Sequence, residues 1–236
     1  MSVETVAGNG RGAAARLGMI EVAERLFAER GVNGVSLREI GTQAGQRNTA
    51  AARYHFGSKE ALVDAVFRHR MEPINERRLG YLDDLDRDGR GHDVRGLVEA
   101  FLHPLAETAL GEPGNPSWYL RFCVNAGLLE GIAVADLGRE EWTRGVHIVR
   151  TRLVEQLDHV PRKLRADRWM LLAGYVGHAL ANRETLIQYG RAASLAPRPV
   201  FLAHLTDTAV ALTTAPVSPE TAAHLHENPH QNRRTP

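Results

Sequence analysis

Apolar residues return every three or four positions along nearly the whole chain, and strand-like alternation is not found, so the fold is confined to packed helices. Leu17, Ile20, Ala23 and Phe27 recur at helical spacing and define the inner face of a first helix, with Glu21, Glu24 and Arg25 expected outward. Gly31 supplies a left-handed stop. Ser36 followed by Glu39 has the S-x-x-E pattern of a capping box and opens a short second helix, its inner face Leu37, Ile40 and Ala44, closed by Gly45. A third helix of about two turns fits the run before Gly57. Ser58 then caps a fourth, with Glu60 in its first turn and Ala61, Leu62, Ala65 and Val66 as its buried stripe.

Pro73 is expected to kink or end that fourth helix, and the polar stretch 83–93 reads as a linker. Further helices are predicted near 94–110, 117–130, 139–159, 162–190 and 199–214, divided by Gly- and Pro-bearing breaks. The aperiodic ends read as flexible tails. The expected organisation is an all-α chain: a tail over 1–12, a three-helix helix-turn-helix unit over 13–60, a larger helical ligand-binding and dimerisation domain over 61–215, and a tail over 216–236.

Composition narrows the class. With 236 residues, 43% of them hydrophobic, the chain can bury a sizeable core. Its 29 basic and 28 acidic residues leave a net charge of +1, so any nucleic-acid surface must come from local placement. One cysteine, Cys123, permits no internal disulfide; with neither a leader nor an apolar run long enough to span a bilayer, a cytoplasmic protein is expected.

Two short helices joined through a glycine make a helix-turn-helix, whose second helix enters the DNA major groove. The alanines Ala50, Ala51 and Ala52 suit a helix that must approach base edges closely. Around them Arg47, Asn48, Thr49, Arg53, Tyr54, His55 and Lys59 offer donors for phosphates and bases. Between 47 and 70 five basic residues face two acidic ones, a local excess in a nearly neutral chain.

The segments AERLFAERGV at 23–32, SLREI at 36–40, AG at 44–45 and YHFGSKEAL at 54–62 resemble, in order and spacing, the tetracycline-repressor (TetR) family of bacterial transcription regulators. The resemblance covers the first quarter of the chain closely. It implies that Tyr54, His55 and Lys59 touch the DNA backbone and that Ser36 is a phosphate-contacting helix cap. The turn QRNTAAAR is one residue longer than the family's commonest form, and Arg53 stands where a tyrosine is usual. The resemblance further implies a small-molecule effector bound in the larger domain that releases the DNA, with no cofactor and no catalysis.

The calcium-loop pattern Asp84, Asp86, Asp88, Gly89 lacks its closing glutamate, Arg95 standing there, and no metal site is expected. A histidine-bearing tail with His224, His226 and His230 reads as a tail and not as a site. Candidates for contact with a small, mainly apolar effector are Phe101, His103, Phe122, Asn125, Trp142, His147, Tyr175 and His178, aromatic and hydrogen-bonding groups set on aliphatic helices. For a homodimer interface the last two long helices offer Ala173, Gly177, Leu180, Phe201, Leu205, Ala209 and Leu212. The sequence favours a dimeric, ligand-responsive repressor on a near-palindromic operator; a ligand-independent architectural protein or activator, and a helical-bundle enzyme, are the alternatives.

Overall fold

The computed structural model describes residues 3–48, 50–111, 117–127 and 141–227, the side chains of 3–11, 192, 226 and 227 excepted. Among the described residues there are ten α-helices and no strand. They are α1 (Val3–Arg30), α2 (Leu37–Gln43), α3 (Ala51–Phe56), α4 (Lys59–Arg87), α5 (Val94–Ala109), α6 (Tyr119–Asn125), α7 (Arg144–Glu155, entered by a tight turn at Glu141–Thr143), α8 (Arg162–Gln188), α9 (Arg198–Thr214) and α10 (Pro219–Glu227). None of them alone is long and apolar enough to cross a membrane.

Several expectations are corrected. Helix α1 begins at Val3, running through the segment read as a tail: a helix nucleated on the well-packed turns from Met19 to Ala28 extends at little further cost, even across glycines. The C-terminal tail contains α10. Helix α4 passes through Pro73 without ending, and takes in residues 83–87 of the expected linker. Proline removes one helical hydrogen bond, and the buried residues Met71, Ile74, Asn75 and Arg78 around it hold the helix together. Leu17, placed on the inner face by its spacing, is 41% exposed. Ala61 is exposed as well.

Glu24 is inverted relative to expectation. It lies almost fully buried on α1, where both carboxylate oxygens accept from Arg70 of α4, at 2.7 Å from Nε and 3.0 Å from Nη2. Burial opposes the Arg70 charge, yet the Glu24 carboxylate outweighs it and holds the guanidinium above its usual pKa. Asp84 and Asp86 of the rejected calcium pattern are engaged in ion pairs, with Arg87 and with Arg152 of α7.

Helix α4 packs on α1 and α5, α1 on α6, and α6 on α8, while α9 covers α5 and α8. A second buried acid fixes the α6–α8 contact. Glu184 of α8 accepts from the backbone N–H of Arg121 at 2.9 Å and of Leu120 at 3.4 Å, at the start of α6. Burial pushes its carboxyl up to about 8, against the pull of the Arg121 amide, the Ser117 hydroxyl and the Leu120 amide. The native chain therefore keeps a proton that the unfolded chain releases near its ordinary value of 4.5, and stability falls as pH rises through that window. Thermal unfolding between about pH 5 and about pH 8 is expected to show wild type losing several degrees relative to Glu184→Gln. Parallel profiles for the two proteins would mean that Glu184 is already ionised at pH 5.

Candidate nucleic-acid interface

Helix α2 begins at Ser36, whose hydroxyl accepts from the Glu39 amide at 3.2 Å. The capping box is only half made, because the Glu39 carboxylate turns to Arg30, 2.6 Å away on α1. Gly45, at φ +70°, takes the left-handed turn that leads toward α3. In that turn the Asn48 side-chain oxygen accepts from the Ala50 amide at 2.9 Å, supplying part of the cap that Ala50 lacks. Thr49 lies outside the described residues.

Two of the three alanines serve a different purpose from the one their size suggested. Ala51 and Ala52 are buried, Ala52 completely, so their small side chains let α3 sit tightly on the helices beneath it and not on DNA. Only Ala50 is exposed. Phe56 anchors the other end of α3, buried, with the Arg16 guanidinium of α1 5.0 Å from its ring centroid.

The outer face of α3 carries Arg53 and Tyr54, the latter 85% exposed, with His55 half-buried against the Tyr54 ring. Arg47 and Asn48 are exposed in the turn beside it. Arg38 of α2, not singled out in the sequence, is exposed too, and its position in the first turn after the Ser36 cap was the available signal. The local charge count needs revision: Arg70 belongs to the buried pair, and the Lys59 ammonium donates to the Val32 carbonyl at 3.1 Å. Lys59 thus clamps the start of α4 to the end of α1.

In the larger domain three of the proposed effector residues fall in two aromatic groups, Phe101 in one and Phe122 and the half-buried Trp142 in the other. Phe101 of α5 meets Trp169 of α8 edge-on with centroids 5.1 Å apart; Phe122 and Tyr119 of α6 lie 6.4 Å apart; Tyr119 reaches Phe67 of α4, which meets Trp142 at 5.5 Å. The buried Cys123 lies among them, its thiol pushed well above the ordinary pKa by burial, and reads as the small apolar filler expected.

The other five do not converge there. His103 is half-buried, edge-on to Tyr81, on the α4–α5 surface. Asn125 is a strut, donating to the Ala28 carbonyl of α1 at 2.7 Å. His147 lines a surface groove with Arg150 and Arg165. Tyr175 and His178 lie on the outer face of α8, in an open, mostly apolar groove of about 720 Å³ with Met170, Leu171 and Gly174.

That outer groove also corrects the interface assignment. Ala173, Gly177, Leu180, Leu205 and Ala209 are buried within the protomer, and Phe201 and Leu212 are half-buried, so this set packs α8 and α9 on each other and on the core. The free face of the same two helices lies about a quarter-turn away, at Met170, Leu171 (61% exposed), Gly174, Tyr175 and Val200 (57% exposed). Tyr175 is joined to Thr208 of α9 by a 2.7 Å hydrogen bond, which sets the two exposed stripes side by side.

Residues 19–66, from the buried half of α1 into α4, match the family model for bacterial regulatory proteins of the tetR family. Over 92 residues the chain is 34% identical to the HTH-type transcriptional repressor KstR2 of Rhodococcus jostii (strain RHA1), a stretch covering 37% of this chain and 39% of that repressor. The match thus spans well under half the length of that curated relative. A solved TetR-family transcriptional regulator from Rhodococcus sp. covers 86% of this chain and 100% of its own at 14% identity, with a TM-score of 0.41.

Within residues 19–66, Lys59 and Arg53 separate a structural cation from an exposed one. Replacing Lys59 by Met is expected to lower the unfolding free energy in urea by about 1 kcal/mol, the worth of a charge-assisted hydrogen bond at a half-buried site. Arg53→Ala should leave it within about 0.5 kcal/mol. Equal, negligible effects from both would show that the Val32 contact holds nothing together.

Proposed function

Because this chain belongs to the TetR family of bacterial regulatory proteins, we propose that it is a dimeric, effector-responsive transcriptional repressor acting on double-stranded operator DNA in the cytoplasm. The family is one of regulators, which removes the helical-bundle enzyme from consideration. The observation that carries the reading is a short α3 anchored at both ends by buried residues, with Arg53 and Tyr54 projecting from its free face. A helix held in that way can be laid in a major groove, Arg53 facing base edges while Ser36, Arg38, Tyr54 and His55 address phosphates. The repressor reading is supported by the name of the curated relative, KstR2.

One such helix reads one half-site, and a near-palindromic operator requires two, about 34 Å apart. The free face of α8 and α9 is the surface for a second copy. Exposed apolar residues arranged along two neighbouring helices are what a two-fold four-helix contact buries, and Gly174 in their midst has nothing within 4 Å of where a Cβ would stand, leaving room for a partner helix. An effector taken up among the aromatic residues of each protomer would favour a different separation of the two α3 helices and so release the DNA.

Two measurements test this. Leu171→Asp is expected to give a monomer in sedimentation at micromolar concentration and to lose the paired half-site footprint, whereas Leu205→Ala, inside the protomer, should lower stability and leave the dimer intact. A Leu171→Asp protein that remains dimeric would place the interface elsewhere. On a duplex selected from random sequence, Arg53→Ala should weaken binding by about 1–3 kcal/mol and have much less effect on unselected DNA. Equal losses on both would make Arg53 a phosphate contact only.

A further inference from the structure

Arg78 lies on α4 in the middle of the larger domain and is only 1% exposed. Its Nη2 donates to the Phe101 carbonyl at 3.3 Å, and its guanidinium stands 5.6 Å from the Phe101 ring centroid. The Nε and Nη1 groups are buried without an acceptor. Burial depresses its pKa to about 10, with the Tyr119 hydroxyl opposing and Arg77 assisting, so the side chain stays charged at neutral pH. Among the described residues no carboxylate pairs with it. Asn75, three residues before Arg78 on α4, is committed at both ends, to the Glu141 carbonyl at 3.2 Å and to the Gly145 amide at 2.7 Å.

One more donor beside Phe101 is unanswered among the described residues. Trp169 Nε1 is buried without an acceptor, on the ring that meets Phe101 edge-on. The Tyr119 hydroxyl, fully buried and close enough to feel the Arg78 charge, is engaged with the Cys123 thiol. Arg78 and Trp169 are both donors, both lie against Phe101, and one of them is a cation. A buried guanidinium without a counter-charge is among the most unfavourable arrangements in a folded chain, and an excess of donors calls for an acceptor bearing negative charge.

We propose that Arg78 is the head-group site of the effector, and that the effector is a small organic anion whose apolar body lies among Phe101, Tyr119, Phe122 and Trp169. The inference rests on the effector-responsive reading above and gives the ligand its chemical class: one carboxylate- or sulfonate-like group on a hydrophobic frame, in place of the mainly apolar molecule expected from the sequence. The anion accepts from Nε and Nη1 of Arg78, with Trp169 Nε1 as a further donor. Arg78 is nineteen residues beyond Lys59 on one continuous helix, about 28 Å along its axis, so a pull on the guanidinium is delivered to the end of α4 clamped to the DNA-binding unit.

The test uses the full chain and two fluorescent probes with the same body, anilinonaphthalene sulfonate and its uncharged parent N-phenyl-1-naphthylamine. Wild type is expected to bind the sulfonate saturably and at least about tenfold more tightly than the parent. Arg78→Met should abolish that preference, leave the parent's affinity unchanged and raise the melting temperature without ligand, since it removes an unpaired buried charge. Arg78→Lys, which keeps the charge, should retain part of the preference and guards against a packing defect in the Met variant. Absence of saturable sulfonate binding, sulfonate affinity unchanged by Arg78→Met, or a lowered melting temperature in that variant overturns the proposal. Operator release separates this from the reading it rests on. Sulfonate bound through Arg78 without any change in DNA affinity upholds the anion site and sinks its regulatory role. Release of DNA from Arg78→Met by the uncharged parent, as complete as release of wild type by the sulfonate, does the reverse.

Discussion

The geometry of the whole molecule turns on the contact between Glu24 of α1 and Arg70 of α4. A carboxylate taken almost wholly out of water is tolerated only when its oxygens are answered, and here one guanidinium answers both, at 2.7 and 3.0 Å. The net gain in stability from such a pair is small, because desolvation consumes most of the Coulomb attraction. Its value lies in direction: only one rotation of α1 brings Glu24 to Arg70. That rotation places Met19, Ala23 and Phe27 in the core and leaves α2 and α3 on the flank where their outer faces are free.

From that pair two mechanical routes lead into the larger domain. One is α4, a single helix that starts at the Lys59–Val32 clamp, passes Arg70 and Asn75 and reaches Arg78 among the aromatics. The other runs from α8, whose outer face is the proposed dimer surface, through Glu184 to the start of α6, and from Asn125 at the end of α6 to the carbonyls of α1. Both routes end on the two helices that Glu24 and Arg70 join. A shift of α4 against α6 would therefore reorient the helix-turn-helix relative to the proposed dimer surface. A tenfold loss of DNA affinity asks only about 1.4 kcal/mol of such coupling.

What the sequence disclosed follows the range of the forces involved. Helix stops and caps are local, so the breaks at Gly31, Gly45 and Gly57 and the caps at Ser36 and Ser58 were legible, as was the helix-turn-helix they spell. The rotation of a helix about its axis is a tertiary matter. Helix α8 is apolar or small on more than one side, so its pattern indicated a packed helix without telling the core stripe of Leu180 and Gly177 from the free stripe of Leu171 and Gly174. The residues named for the interface therefore include five buried within the protomer, about a quarter-turn from the free stripe now proposed. Glu24 and Arg78 were illegible for a related reason: charged residues on helices are normally solvated, and nothing in their neighbours announces burial. The alanines of α3 were read for what small side chains permit toward DNA, when the same smallness was needed underneath.

Glu24, Glu184 and Arg78, three of the ionisable groups enclosed among the described residues, meet the cost of leaving water differently. Glu24 lies against a cation that answers both its oxygens. Glu184 has its carboxyl pushed to about 8 and so holds its proton at neutral pH, with backbone amides at the start of α6 taking up its oxygens. Arg78 has neither remedy: a guanidinium does not give up its proton near neutrality, and only the Phe101 carbonyl answers it. The first two arrangements are complete in the free chain and gain nothing from an added molecule. The third is incomplete among the described residues, and that is the ground on which an anion is proposed to complete it. Arg78 also stands on α4, the helix that begins at the Lys59–Val32 contact, so the group least satisfied in isolation lies on a direct route to the helix-turn-helix.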